Sequence, residues 1–200
     1  MQKTDEKKCS DCYTSKPDPE FKLANPICRP CYEKATKMMS EYKKRRDNFY
    51  PEIDMMEDNL YLGNEDAAMN KDLLKSKEIT HVLAVGTYLE MRFPDDFVYE
   101  NILVEDSPFQ DIQQFFKRAF KFIKNAKVVF VHCAAGVSRS ATIVIAYIMF
   151  SKKMSFEEAH NYVKEKRGVI YPNEGFKTQL QAFEIQLKEE KFTLDDDADA

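Results

Sequence analysis

Val128-Val129-Phe130-Val131 reads as a buried strand. It runs directly into His132-Cys133-Ala134-Ala135-Gly136-Val137-Ser138-Arg139-Ser140 and then into an apolar helix from Ala141 to Phe150. Few arrangements constrain a chain more. In a strand–loop–helix unit of this kind the free backbone N–H groups at the helix start converge on the hollow of the loop, which makes a binding place for an oxyanion. Gly136 lets the backbone turn inward.

The side chains in that loop carry chemistry. A cysteine at its mouth feels the helix N-terminus and a nearby arginine, both of which favour thiolate over thiol, so Cys133 is a candidate nucleophile for phosphorus. Arg139, where the helix begins, can present two parallel N–H donors to the equatorial oxygens of a phosphoryl group, a fork that lysine lacks. The backbone and side chains of Ala134, Ala135, Gly136, Val137, Ser138 and Arg139 form the candidate substrate cradle. Ser140 can donate its hydroxyl to the sulfur when the thiolate departs. His132 has no base to be for a group already ionised; its expected role is to orient the loop through ring hydrogen bonds.

Around this unit strands and helices alternate. Leu60-Tyr61-Leu62, Ile79 to Val85 and Val98 to Val104 are short apolar segments, and Phe115, Phe116, Ala119, Phe120 and Ile123 share one face of a helix spanning Ile112 to Lys124. Asp111-x-x-Gln114 and Ser155-x-x-Glu158 read as capping boxes; the second helix ends near Gly168 and a last one follows Pro172-Asn173. The rhythm is α/β, with a central, mostly parallel sheet flanked by helices. Three parts are expected: residues 1–50, a catalytic domain over 51–189, and an acidic, disordered tail over 190–200.

His132 to Ser140 with the helix after it resembles the signature of the dual-specificity protein phosphatases, within the protein tyrosine phosphatase superfamily. Leu60-Tyr61-Leu62-Gly63, Ile79-Thr80-His81-Val82-Leu83 and the run from Tyr171 to Leu180 are similar to family segments in the family's order, so the resemblance spans residues 52 to 187. It implies a phosphocysteine intermediate, no catalytic metal, and a shallow pocket that takes phosphotyrosine as well as phosphoserine and phosphothreonine. By position Asp106, which follows a strand and opens an irregular stretch, matches the family's general acid. Asn173 lies in a segment that supports the catalytic loop in the family, but it serves equally as a helix N-cap and is not counted among the catalytic residues. Ala134, Ala135 and Val137 offer no additional cation for further phosphates, which favours protein substrates over inositol phospholipids.

The first fifty residues are built differently. Cys9-x-x-Cys12 and Cys28-x-x-Cys31 stand fifteen residues apart, a spacing that suits a structural zinc site with four thiolate ligands. After them Tyr32, Ala35, Met39 and Tyr42 recur at helical spacing. Two knuckles followed by a helix resemble a small treble-clef or GATA-type finger. Lys34, Lys37, Lys43, Lys44, Arg45 and Arg46 offer a basic surface to an acidic groove on a substrate such as a kinase, or to nucleic-acid phosphates; a solvated helix face explains them equally well.

Composition decides little beyond this. Hydrophobic residues at 44% and charged residues at 32% fit a soluble globular chain. The longest apolar run is half of the roughly 20 residues that span a bilayer, so no membrane partner is expected. Cysteines spaced for metal and a lone Cys133 fit a reducing, cytoplasmic or nuclear compartment. Two other functions stay compatible with these residues: a phosphoprotein-binding chain that keeps the loop without turnover, and a nucleic-acid-associated regulator in which the N-terminal part is primary.

Overall fold

The computed structural model describes residues 50–194, together with the isolated positions Pro30 and Glu33. The four paired cysteines, the basic cluster and the last six residues lie outside the described residues.

Five strands form one mixed sheet: β1 (Ile53–Glu57), β2 (Leu60–Gly63), β3 (His81–Val85), β4 (Val98–Ile102) and β5 (Val129–His132). Their spatial order is β1-β2-β5-β3-β4. The β1–β2 pair is antiparallel and the other three pairings are parallel. Gly63 and Ala84 both register with His132, so β2, β5 and β3 end side by side. The loops that follow them open at the same edge, which is where ligands bind in open parallel sheets. β1 has no counterpart in the sequence reading, because Ile53-Asp54-Met55-Met56-Glu57 is too polar to stand out as a strand.

The helices are α1 (Glu65–Ala68), α2 (Lys71–Ser76), α3 (Phe116–Asn125, entered through a 3₁₀ turn at Gln113–Phe115), α4 (Arg139–Lys152), α5 (Phe156–Lys166) and α6 (Glu174–Lys188). All four residues of β5 are buried. Val129 and Val131 face the larger core beneath α3 to α6. Phe130 turns the opposite way into a smaller core with Ala67, Ala68 and Leu74. A strand buried on both faces reads as a continuous apolar run, and this one does. α4 passes through the larger core, with every residue from Ser140 to Ala146 buried.

The cap at Ser155 is a complete box: its hydroxyl accepts from the Glu158 amide, and the Glu158 carboxylate accepts from the Ser155 amide. At Asp111 only half the box forms, because the Gln114 side chain donates to the Asp111 carbonyl instead of accepting from its amide. α5 stops at Lys166, two residues short of Gly168, because Arg167 leaves helical geometry to reach another partner.

The expected start of a disordered tail at residue 190 is corrected. Phe192 packs its ring on Phe120, Phe150 and Phe183, with centroids 5.6, 5.5 and 4.9 Å apart, and Leu194 is buried in the same core. Burying such side chains contributes roughly 1.5–3 kcal/mol each, enough to hold a short segment against the helices. Among the described residues no helix is long and apolar enough to cross a membrane.

Candidate active site

Residues 133–138 link β5 to α4, and the outward ties of their backbone explain their shape. The carbonyl of Ala134 accepts from the Glu65 amide (3.1 Å) and that of Val137 from the Tyr171 amide (2.8 Å). Between them, the carbonyls of Ala135 and Gly136 accept from the Arg167 guanidinium at 3.3 and 2.8 Å. Four consecutive carbonyls thus point away from the hollow. In a trans peptide the N–H points opposite the C=O, so the amides of residues 135 to 138 turn inward. Gly136 has φ of +66°, and a β-carbon there would lie 2.4 Å from the Gly63 carbonyl oxygen. No other residue fits that turn without strain.

Cys133 is 2% exposed and sits at the bottom of this nest. Its sulfur accepts from the Gly136 amide at 3.2 Å and from the Ser140 hydroxyl at 3.1 Å. Arg139 opens α4 with its side chain 14% exposed, and its Nε is buried without a hydrogen-bond partner among the described residues. A buried donor that nothing in the fold satisfies is expensive to keep, and an oxyanion in the nest would satisfy it.

Asp106 lies in the loop after β4. Its Oδ1 accepts from the Ser138 hydroxyl at 2.7 Å and from Asn173 Nδ2 at 2.9 Å, while Oδ2 stands 3.9 Å from Arg139 Nε. The loop is pinned further along by Gln179, whose Oε1 accepts from the amides of Ile112 and Gln113 and whose Nε2 donates to the Gln110 carbonyl. A β-carbon on Gly175 would come within 1.9 Å of the Pro108 carbonyl oxygen, so only glycine lets the first turn of α6 lie this close under the loop.

These residues bring together a doubly hydrogen-bonded sulfur, an inward set of amides, a guanidinium whose Nε makes no hydrogen bond among the described residues, and a carboxyl at the rim. The catalytic domain family described as "Dual specificity phosphatase, catalytic domain" matches residues 60–186. This chain belongs to the dual-specificity phosphatase family. It is 41% identical to Dual specificity protein phosphatase 1 of Arabidopsis thaliana over 155 residues, 74% of this chain and 77% of that protein. With MAP kinase phosphatase with leucine-rich repeats protein 1 of Dictyostelium discoideum it shares 43% identity over 67% of this chain, but only 16% of that much longer relative. Among solved structures, human tyrosine phosphatase-like serine/threonine/tyrosine-interacting protein superposes with a TM-score of 0.66 at 33% identity, covering 68% of this chain and 97% of that one. The enzyme is a cysteine-based phosphoprotein phosphatase.

Within this dual-specificity phosphatase, Cys133, Arg139, Ser140, Asp106 and the loop residues 134–138 meet at one edge of the sheet. Three residues near them were not singled out for the site in the sequence. Asn173 does cap α6, its Oδ1 accepting from the Phe176 amide, but its other end holds Asp106 and its backbone amide reaches the Ser138 hydroxyl at 3.2 Å. Arg167 left no sequence signal, standing among lysines at a helix end. Glu65 is half-buried at the rim; burial first, then the carboxylates of Asp66 and Glu90, hold its carboxyl above the usual range, with Arg139 pulling the other way. Among the described residues no group of three or more His, Cys, Asp or Glu side chains is placed to hold a metal ion.

The expectation for His132 is met only by a weak contact of its ring with the Cys133 backbone. Neither ring nitrogen has a hydrogen-bond partner of good geometry among the described residues, and the ring stacks on Phe130 with centroids 5.4 Å apart. It supports the strand end by packing. Burial pushes its pKa down from 6.5 to about 4, against a smaller upward pull from the Cys133 backbone. The folded state therefore prefers neutral imidazole, and the stability that depends on this is whole above about pH 6.5 and drains away as pH falls toward 4. The loss amounts to about 3 kcal/mol over that interval. Urea midpoints measured from pH 7.5 down to 4.5 should fall more steeply for the natural protein than for His132→Gln; parallel slopes would refute the assignment.

Proposed function

We propose that the enzyme hydrolyses phosphotyrosine and phosphoserine or phosphothreonine esters on proteins through a phosphocysteine intermediate. In the first step the Cys133 thiolate attacks phosphorus in line. The S–P bond forms as the P–O bond to the side-chain oxygen breaks, and Asp106 gives that oxygen its proton. In the second step the Asp106 carboxylate takes a proton from water, the water oxygen attacks phosphorus, and the S–P bond breaks. The Ser140 hydroxyl, already directed at the sulfur, steadies the departing thiolate. Arg139 and the inward amides hold the phosphoryl oxygens throughout, where charge builds in the transition state.

The observation that carries this reading is that one loop holds both a doubly hydrogen-bonded sulfur and, at its end, the buried Nε of Arg139 with no hydrogen-bond partner among the described residues. Asp106 fits the acid's role because Oδ1 is taken by two donors, which leaves Oδ2 to carry the proton. Asp106→Asn should lower kcat on an alkyl phosphopeptide about 100-fold, the usual worth of a positioned acid, with KM nearly unchanged. On an aryl phosphate whose leaving group departs unaided the loss should be much smaller. Equal losses on both substrates would take Asp106 out of this role.

Ala134, Ala135 and Val137 bring no second cation to the loop, which supports a phosphoprotein over a polyphosphorylated lipid. The name of the Dictyostelium relative supports a phosphorylated kinase among the substrates. The spacing of Cys9, Cys12, Cys28 and Cys31 supports a structural zinc in an N-terminal module, held by four thiolates and apart from the chemistry, with Lys43 to Arg46 as a docking surface for an acidic partner.

A further inference from the structure

Arg167 is 3% exposed, yet it belongs to no part of the chemistry above. A buried guanidinium costs several kcal/mol in desolvation unless its donors are engaged and its charge is paired. Here both conditions are met. Nη1 donates to Asp54 and Nη2 to Glu52, each at 2.6 Å, while Nε donates to the Gly136 carbonyl at 2.8 Å and Nη2 also to that of Ala135 at 3.3 Å. The carboxylates on and before β1 neutralise it from outside, and the phosphate loop takes its remaining donors on the inside.

We propose that Arg167 is a positioning residue that sets the anion affinity of the phosphate loop by holding two of its peptide planes. The Ala135 carbonyl belongs to the same plane as the Gly136 N–H, which donates to the Cys133 sulfur at 3.2 Å. The Gly136 carbonyl belongs to the plane of the Val137 N–H. By fixing both oxygens outward, one side chain aims two amides into the hollow. Its charge also polarises those peptides, and a polarised peptide is a stronger N–H donor. The neighbouring carbonyls of Ala134 and Val137 are held by backbone amides, which no side-chain change removes. Arg167 is therefore the one place, among the described ties of residues 134–137, where a substitution can loosen the nest without touching it. A β-carbon at position 136 would lie 2.9 Å from Arg167 Nη2, so glycine there serves the guanidinium's approach as well as the turn.

The proposal rests on residues 133–139 binding a phosphoryl group, and the test separates the two. Tungstate, a tetrahedral oxyanion, is titrated calorimetrically into the reduced full chain at 10 °C, and folded protein is counted by circular dichroism. The natural enzyme should bind tungstate, and if it does not, the phosphate-loop reading falls and this proposal with it. Arg167→Gln should bind about tenfold more weakly, the loss expected when charge-assisted hydrogen bonds shaping the site are removed. Arg167→Lys keeps the charge against Glu52 and Asp54 but brings three donors on one atom to the four acceptors that the guanidinium serves, so it should fold with a modestly lower Tm and bind about three- to fivefold more weakly. In both variants KM should rise with the loss of affinity. A residue needed only for stability would lower Tm and leave the affinity of the folded molecules unchanged, and that result would overturn the proposal. Failure of both variants to fold would also overturn it, by showing an ordinary structural ion pair.

Discussion

Cys133→Ser is expected to abolish turnover while leaving the fold and the anion site in place. Serine has the same shape, and its oxygen can still accept from the Gly136 amide and the Ser140 hydroxyl that meet the sulfur at 3.2 and 3.1 Å. What it lacks is an anion. An alcohol ionises far less readily than a thiol, and the groups that meet the sulfur among the described residues, an amide and a hydroxyl, are no bases to take a serine's proton. Removal of the nucleophile in enzymes of this logic costs on the order of 10⁵- to 10⁶-fold in kcat. With an aryl phosphate, a metal chelator and a thiol reductant present, the natural enzyme should turn over and the variant should fall below detection. The same variant should retain phosphopeptides, because Arg139 and the inward amides are untouched. Residual activity above about one part in a thousand, under those conditions, would show that another group attacks phosphorus.

Much of this arrangement is legible in the sequence because local rules and the site coincide there. A run of β-branched residues, a loop with one glycine and an apolar helix can be read in order, and the phosphate nest is made by that order itself. Asp106 follows a strand that reads as one. The parts that stay hidden are those built across the chain. Arg167 meets Glu52 and Asp54, more than a hundred residues away, and nothing in Lys166-Arg167-Gly168 distinguishes it from a solvated helix end. Asn173 shows only its local half, the helix cap, while its bond to Asp106 spans 67 residues. β1 hides for a related reason: as an edge strand paired on one side, it carries polar residues that a buried strand would not. His132 misleads in the other direction, since a histidine beside a nucleophile invites a chiefly polar role and the fold gives it a buried ring stacked on Phe130, with only a weak tie to the Cys133 backbone.

Arg139→Lys should separate charge from shape. The substitution keeps a cation at the start of α4 and loses the planar fork that can grip two phosphoryl oxygens at once. The ammonium is also shorter, and the neighbouring Asp106 Oδ2, 3.9 Å from Arg139 Nε, offers it a competing partner. A donor aimed at developing charge contributes most in the transition state, so kcat/KM should fall about 1000-fold, with most of the loss in kcat. Stability should move the opposite way or not at all. Arg139 Nε is buried and unsatisfied, which is a cost the folded enzyme carries for the sake of its substrate, and lysine removes that atom. Thermal unfolding without ligand should give a Tm equal to or above that of the natural protein, while the rise in Tm produced by added tungstate should shrink. A variant that loses activity and stability together would mean that Arg139 holds the loop and does not chiefly hold the phosphate. Near-natural kcat would mean that charge alone suffices, and that the inward amides do the gripping by themselves.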